Sequence, residues 1–149
     1  MDQVIDANNI HGWLQEQVAR SEFKLAYGIT ELLSVEPKFI DNLTDVFMKA
    51  GKSLKGSISA INASLAYKTI SDSLLDGMPC DHSNQVLETG EESVTWKRVS
   101  CVHSQYWEKV GGKVEIYYQL RDEFIQGCLY DTNLLYEKID EATSRIRRK

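Results

Sequence analysis

Two of the three cysteines and two of the three histidines fall into Cys-X-His pairs, Cys80-Asp81-His82 and Cys101-Val102-His103. Side chains two residues apart point to the same side of an extended strand, so either pair presents a thiol and an imidazole to one metal ion or one substrate. Joined, Cys80, His82, Cys101 and His103 form a candidate tetrahedral zinc site. Zinc-binding loops space their ligands by about two to four intervening residues, and a single intervening residue strains a shared tetrahedron. The expectation is therefore that the chain holds no structural metal, with the four-ligand site as the alternative.

Arg121 is the second feature. On a helix expected from about Lys113 to Leu129, the residues Val114, Tyr117, Tyr118, Phe124, Ile125 and Cys128 form an apolar face, and Arg121 falls at its centre. A guanidinium aimed into a core needs an anionic partner. One source is an internal Asp or Glu. The other is the carboxylate of a small ligand held bidentately, with the hydroxyls of Tyr117 and Tyr118 beside it and Cys128 two turns further on the same face.

The elements that must position these residues change character midway. Ile10, Leu14, Val18, Leu25, Ile29 and Leu32 mark one helix face, with Asp6 or Asn8 to cap it and Ser34-Val35-Glu36-Pro37 to end it. Phe39, Ile40, Leu43, Val46, Phe47 and Ala50 form a second stripe, and Gly51 to Gly56 reads as a break. A third stripe runs Ile58, Ile61, Leu65, Ile70, Leu74 and Leu75 to Gly77-Met78-Pro79, with small residues crowding its middle. After Pro79 the period becomes that of strands: a short one over Gln85 to Glu88, then Ser93 to His103, rich in β-branched and aromatic residues. A short helix from Ser104 to Val110 ends at Gly111-Gly112. Beyond the Arg121 helix the pattern is ambiguous: Leu135, Ile139, Ala142 and Ile146 fit a helix, while Leu134 to Ile139 and Arg145 to Arg147 equally make a hairpin against the 93–103 strand, the preferred reading because a single exposed strand is not stable alone.

A length of 149 residues fits one domain, 1–149, able to bury a core without disulfides, and the odd cysteine count fits free thiols in a cytoplasmic protein. Hydrophobic residues at 42% and charged residues at 26%, without a long apolar run, argue against a membrane partner. A net charge of −5 disfavours nucleic acid. Arg145, Arg147, Arg148 and Lys149 read as a solvated basic terminus.

This order of elements resembles the L-2-amino-thiazoline-4-carboxylic acid hydrolase family and is similar to the ligand-binding domains related to 4-vinyl reductase. The resemblance spans Trp96 to Arg147 and rests on Val99-Ser100-Cys101, Gly111-Gly112 and Arg121-Asp122. Where the hydrolase pattern follows the strand cysteine with proline and opens the next helix with a second cysteine, this chain has Val102 and Tyr117 or Tyr118. The resemblance implies an α+β fold with a pocket between helices and sheet. It also implies Cys101 as nucleophile, His103 as base, Asp122 as the orienting group and Arg121 as carboxylate anchor.

The expected fold class is α+β, with a helical N-terminal half packed on a small antiparallel sheet, a long C-terminal helix and a terminal hairpin. The expected function is binding of a small acidic molecule (a carboxylate) without a cofactor, with hydrolase-like chemistry. The other class is a non-catalytic ligand-sensing or protein-interaction domain, and a homo-oligomer is compatible with either.

Overall fold

A computed structural model describes residues 5–54, 56 and 62–149. Helix α1 (Ile10–Val35) is capped by Asn9, whose side chain accepts from the Gly12 amide, and it stops ahead of Pro37 as the sequence dictates. Helix α2 (Phe39–Ser53) follows, then α3 (Ala63–Ser73), whose cap Asn62 accepts from the Ser64 and Leu65 amides. Strands β1 (Asn84–Thr89) and β2 (Ser93–Arg98) form a hairpin. Helices α4 (Ser104–Lys109) and α5 (Val114–Cys128) lead to a second hairpin, β3 (Leu134–Lys138) and β4 (Thr143–Arg148). The fold is α+β. Its sheet is antiparallel throughout, in the order β1-β2-β4-β3, with Val94 opposite Ile146 and Tyr136 opposite Ile146 on the other side.

Two cores share α5 as their common wall. Beneath the sheet, Val94, Trp96, Leu134 and Ile146 pack on Ala63, Ala66 and Ile70 of α3 and on Ile125 and Cys128 of α5. On its other side, α5 presents Tyr117 and Leu120 to Ala26 and Ile29 of α1 and to Trp107 of α4. This two-sided burial is why the single apolar face read from the sequence omits Leu120, which is fully buried. Helix α2 lies along α5 at very short range. A Cβ on Gly51 would meet the Phe124 carbonyl, and one on Gly127 the Met48 carbonyl. Gly51 is thus a contact point inside α2, not the start of a break.

Several expectations shift in phase or extent. Leu65 is half exposed while Ala63, Ala66 and Ile70 face the sheet, and Ile58 and Ile61 lie outside the described residues. β2 ends at Arg98, so Cys101 and His103 belong to the connection into α4 and do not share a strand face. Cys80 lies in a 3₁₀ turn (Pro79–Asp81), and His82 after it is left-handed with φ 46°, so that pair is not extended either. Of the basic C-terminal residues, Arg145, Arg147 and Arg148 lie on the inner strand β4. Arg147 pairs with Glu137 and Arg148 with Glu92, each at 2.7 Å. All three cysteines are free. Among the described residues, no helix is long and apolar enough to cross a membrane.

Candidate functional site

Four charged side chains from four separate segments meet between the two cores. Glu22 comes from α1, Asp76 from the loop after α3, His103 from the residue preceding α4, and Arg121 from the middle of α5. His103 is 1% exposed and Glu22 4%. The imidazole Nδ1 stands 2.7 Å from Glu22 Oε1, and Nε2 stands 3.2 Å from Asp76 Oδ1. Arg121 forks onto the same aspartate, through Nη2 to Oδ2 at 2.8 Å and through Nη1 to Oδ1. Asn84 Nδ2 donates to Asp76 Oδ2 at 2.9 Å. The Tyr117 ring lies 4.2 Å from the imidazole, centroid to centroid, and its hydroxyl accepts from Arg121 Nη1 at 3.3 Å.

Charge follows from this geometry. A ring flanked by two carboxylate oxygens bonds both only when each nitrogen carries a proton, so His103 is an imidazolium. Burial acts to lower its pKa, but the hydrogen bonds to Asp76 and Glu22 outweigh it and raise the pKa above the ordinary histidine value. Burial likewise acts to raise Asp76, yet Arg121 and His103 hold it well below the usual carboxylate range. Desolvation pushes Tyr117 up to about 12. The row Glu22–His103–Asp76–Arg121 is therefore two anions alternating with two cations, neutral as a whole.

The partner that Arg121 requires is internal. Asp76 occupies the bidentate edge of the guanidinium, so the expected anchoring of a ligand carboxylate has no free fork on Arg121. His103 spends both nitrogens on carboxylates, so the thiol–imidazole pairing of Cys101 with His103 is not formed. Cys101 is exposed and takes its hydrogen bond from the Tyr118 hydroxyl at 3.0 Å. Burial acts to raise that thiol, but Tyr118 and the amides of His103 and Ser104 bring its pKa down overall. Asp122 is held elsewhere, accepting from Tyr136 Oη at 2.6 Å and from Lys138 Nζ at 3.1 Å, and does not orient His103. Cys128 is fully buried under the sheet, where burial pushes its thiol up to about 11. Among the described residues, no three of His, Cys, Asp and Glu are placed to hold one metal ion, so the alternative site of Cys80, His82, Cys101 and His103 is not assembled.

Among the hollows that border this charged row are two lined by Arg121. Between α5 and the sheet lies a polar cleft walled by Trp96, Arg98, Tyr118, Asp122, Tyr136 and Lys138, with room of about 30 Å³. That is enough for a water or two. On the far side of Arg121, an open cavity of about 440 Å³ has walls of Leu25 from α1, Val46 and Phe47 from α2, Leu74 and Leu75 after α3, and Phe124 from α5. Ser21, Glu22, Ser73, Tyr117 and Arg121 supply its polar groups. This hollow, framed by helices and not by the sheet, is of the size that takes a small organic molecule.

Glu22, Asp76 and Arg98 were missed from the sequence. Glu22 had a legible signal: it sits four residues after Val18 and seven before Ile29, a charge on the apolar stripe of α1, as Arg121 is on α5. Asp76 had none, being a loop residue beside Gly77. Comparison of the chain with family models, curated proteins and solved structures gives no match.

Proposed function

We propose that this domain binds a small organic molecule in the 440 Å³ cavity framed by α1, α2 and α5, with the charged row as its polar boundary. The cavity itself carries the reading. Predominantly apolar walls with a few convergent, fixed polar groups are the composition of small-molecule sites, and side chains locked by mutual ion pairs are already organised for binding. Bond cleavage finds less support. A cysteine nucleophile needs a base or a standing thiolate, and the imidazole nearest in sequence to Cys101 is bound at both nitrogens. The reading is therefore of binding or sensing, without hydrolysis.

Ala50 also lines the cavity, and it is exposed at the surface of α2. Substituting Ala50→Trp fills the opening while leaving both cores intact. Fragments found to bind the wild-type protein by ligand-observed NMR should lose binding to that variant, with its melting temperature nearly unchanged. Undiminished fragment binding by the variant would refute the assignment to this cavity.

A second reading keeps the small acidic ligand and moves its anchor to Arg98. That guanidinium lies 3.7 Å over the Tyr118 ring and donates to the Glu141 carbonyl at 3.3 Å, so its contacts on the cleft wall are neutral. A carboxylate entering the cleft would meet it beside Lys138. Formate binding abolished by Arg98→Gln, with the fold retained, is the result this reading requires.

A further inference from the structure

The two exposed thiols, Cys80 and Cys101, lie on either side of the β1–β2 hairpin, one on each arm. Asn84 and Arg98 are the last paired position of that ladder, yet the arms do not part there. The Ser83 carbonyl accepts from the Val99 amide at 2.9 Å and from the Ser100 amide at 3.3 Å. Further out, the immediate neighbours of the two cysteines still meet. A Cβ on Gly77 would lie 2.5 Å from Asp81 Oδ2 and 3.3 Å from Val102 Cγ1, and Asp81 and Val102 line one hollow with Gly77. The register of the ladder, continued past Ser83, sets Cys101 against Asp81 and Cys80 against Val102, so the cysteines fall one step apart on the diagonal. Left-handed His82 turns the first arm out of the sheet, and the shared contact with Gly77 keeps that arm on the second. A small movement of the 3₁₀ turn then suffices to reach the Cα spacing of a disulfide, about 5.5–6 Å.

We propose that Cys80 and Cys101 form a reversible disulfide on exposure to a hydroperoxide, a clamp that fastens the 76–82 loop to the segment entering α4. Cys101 is the attacking group. Its sulfur accepts from the Tyr118 hydroxyl at 3.0 Å, and that donor acts with the amides of His103 and Ser104 to favour the thiolate. The thiolate takes one oxygen from hydrogen peroxide, the O–O bond breaks, water leaves after protonation, and Cys101 becomes a sulfenic acid. Cys80 then gives up its proton and attacks that sulfur. The S–O bond breaks, and the departing hydroxide takes the proton to leave as a second water. Two thiols thus lose two electrons and two protons to one peroxide, and a thiol reductant returns them by exchange. Cys128 takes no part, being fully buried under the sheet. The bridge joins the arm that carries Asp76 to the arm that carries His103, so it locks from outside the junction that the bond between those two side chains holds from within.

The test uses the full folded chain, reduced, freed of reductant and treated with one equivalent of hydrogen peroxide at neutral pH. The expected product is a monomer lighter by two hydrogens, whose peptide map joins Cys80 to Cys101. Diluting the protein should leave the yield unchanged, because the second thiol belongs to the same chain. Cys80→Ser should stop with oxygen added at Cys101, since the resolving thiol is gone. The oxidised wild-type protein should melt several degrees above its reduced form and return to the lower value with dithiothreitol, whereas peroxide should give Cys80→Ser no such gain. Oxygen added at Cys101 of the wild-type chain without a bridge, a bridge that includes Cys128, or a chain-to-chain link whose yield falls on dilution would each overturn the proposal. A Cys80–Cys101 bridge that forms without raising the melting temperature would overturn the clamp.

Discussion

Glu22 and His103 stand 81 residues apart in the chain and 2.7 Å apart in space, both nearly without solvent contact. Their bond fastens the long first helix to the start of α4, where α1 and α4 pack on each other. Since the other imidazole nitrogen faces Asp76, one ring ties three segments together. That function needs two ring protons, which makes the junction sensitive to pH.

The dependence has a definite sign. His103 has a folded pKa above its ordinary 6.5, so its stabilising effect is complete below about pH 6.5 and is lost as pH rises through the folded value. Urea midpoints measured from about pH 6 to about pH 9 should therefore fall with rising pH in the wild-type protein. His103→Gln should cost about 1–3 kcal/mol at the acid end and show a flatter profile. A wild-type midpoint that climbs over this range would show that the ring is not held as an imidazolium.

Asp76 and Arg121 supply a second test. Removing either partner strands a largely buried charge, so Arg121→Ala is expected to destabilise by about 3–5 kcal/mol. The double variant Asp76→Ala, Arg121→Ala should lose less than the sum of the single losses, with a coupling above ~1 kcal/mol. Acid behaviour should agree. Asp76 has a depressed pKa, so its contribution is present above the ordinary value of 3.8 and is lost as pH falls below it. Additive single losses in chemical denaturation would mean that the pair is not the partnership its geometry implies.

The legibility of this site in the sequence followed periodicity. Arg121 announced itself because a cation interrupts an apolar stripe, and the same rule applied to α1 would have raised Glu22. The helix limits at Val35 and around Gly111-Gly112 were readable from proline and glycine, and the terminal hairpin from the need of β2 for a partner. Asp76 was not readable, since a loop aspartate beside glycine looks the same whether it faces solvent or accepts from Arg121, His103 and Asn84. The Cys-X-His pairs misled for a related reason. Two residues apart means one side only on a strand, and a left-handed His82 and the early end of β2 at Arg98 remove that premise at both pairs.

Cys101 should be the most reactive of the three thiols, though not by the route that its neighbouring histidine suggests. Cys128 is buried with its thiol raised to about 11, whereas Cys101 is exposed and has a lowered pKa, assisted by the Tyr118 hydroxyl at 3.0 Å. A lower pKa means more thiolate at neutral pH and faster alkylation. With limiting iodoacetamide, peptide mass analysis should therefore find Cys101 labelled well ahead of Cys128. Tyr118→Phe deletes the donor and should slow that labelling by about threefold, the scale expected for one modest hydrogen bond. Cys80 is exposed too, on the 3₁₀ turn, and serves as the internal reference. If Cys80 reacts as fast as Cys101, or if Tyr118→Phe leaves the ratio of the two unchanged, then exposure alone governs reactivity and Tyr118 does not activate the thiol.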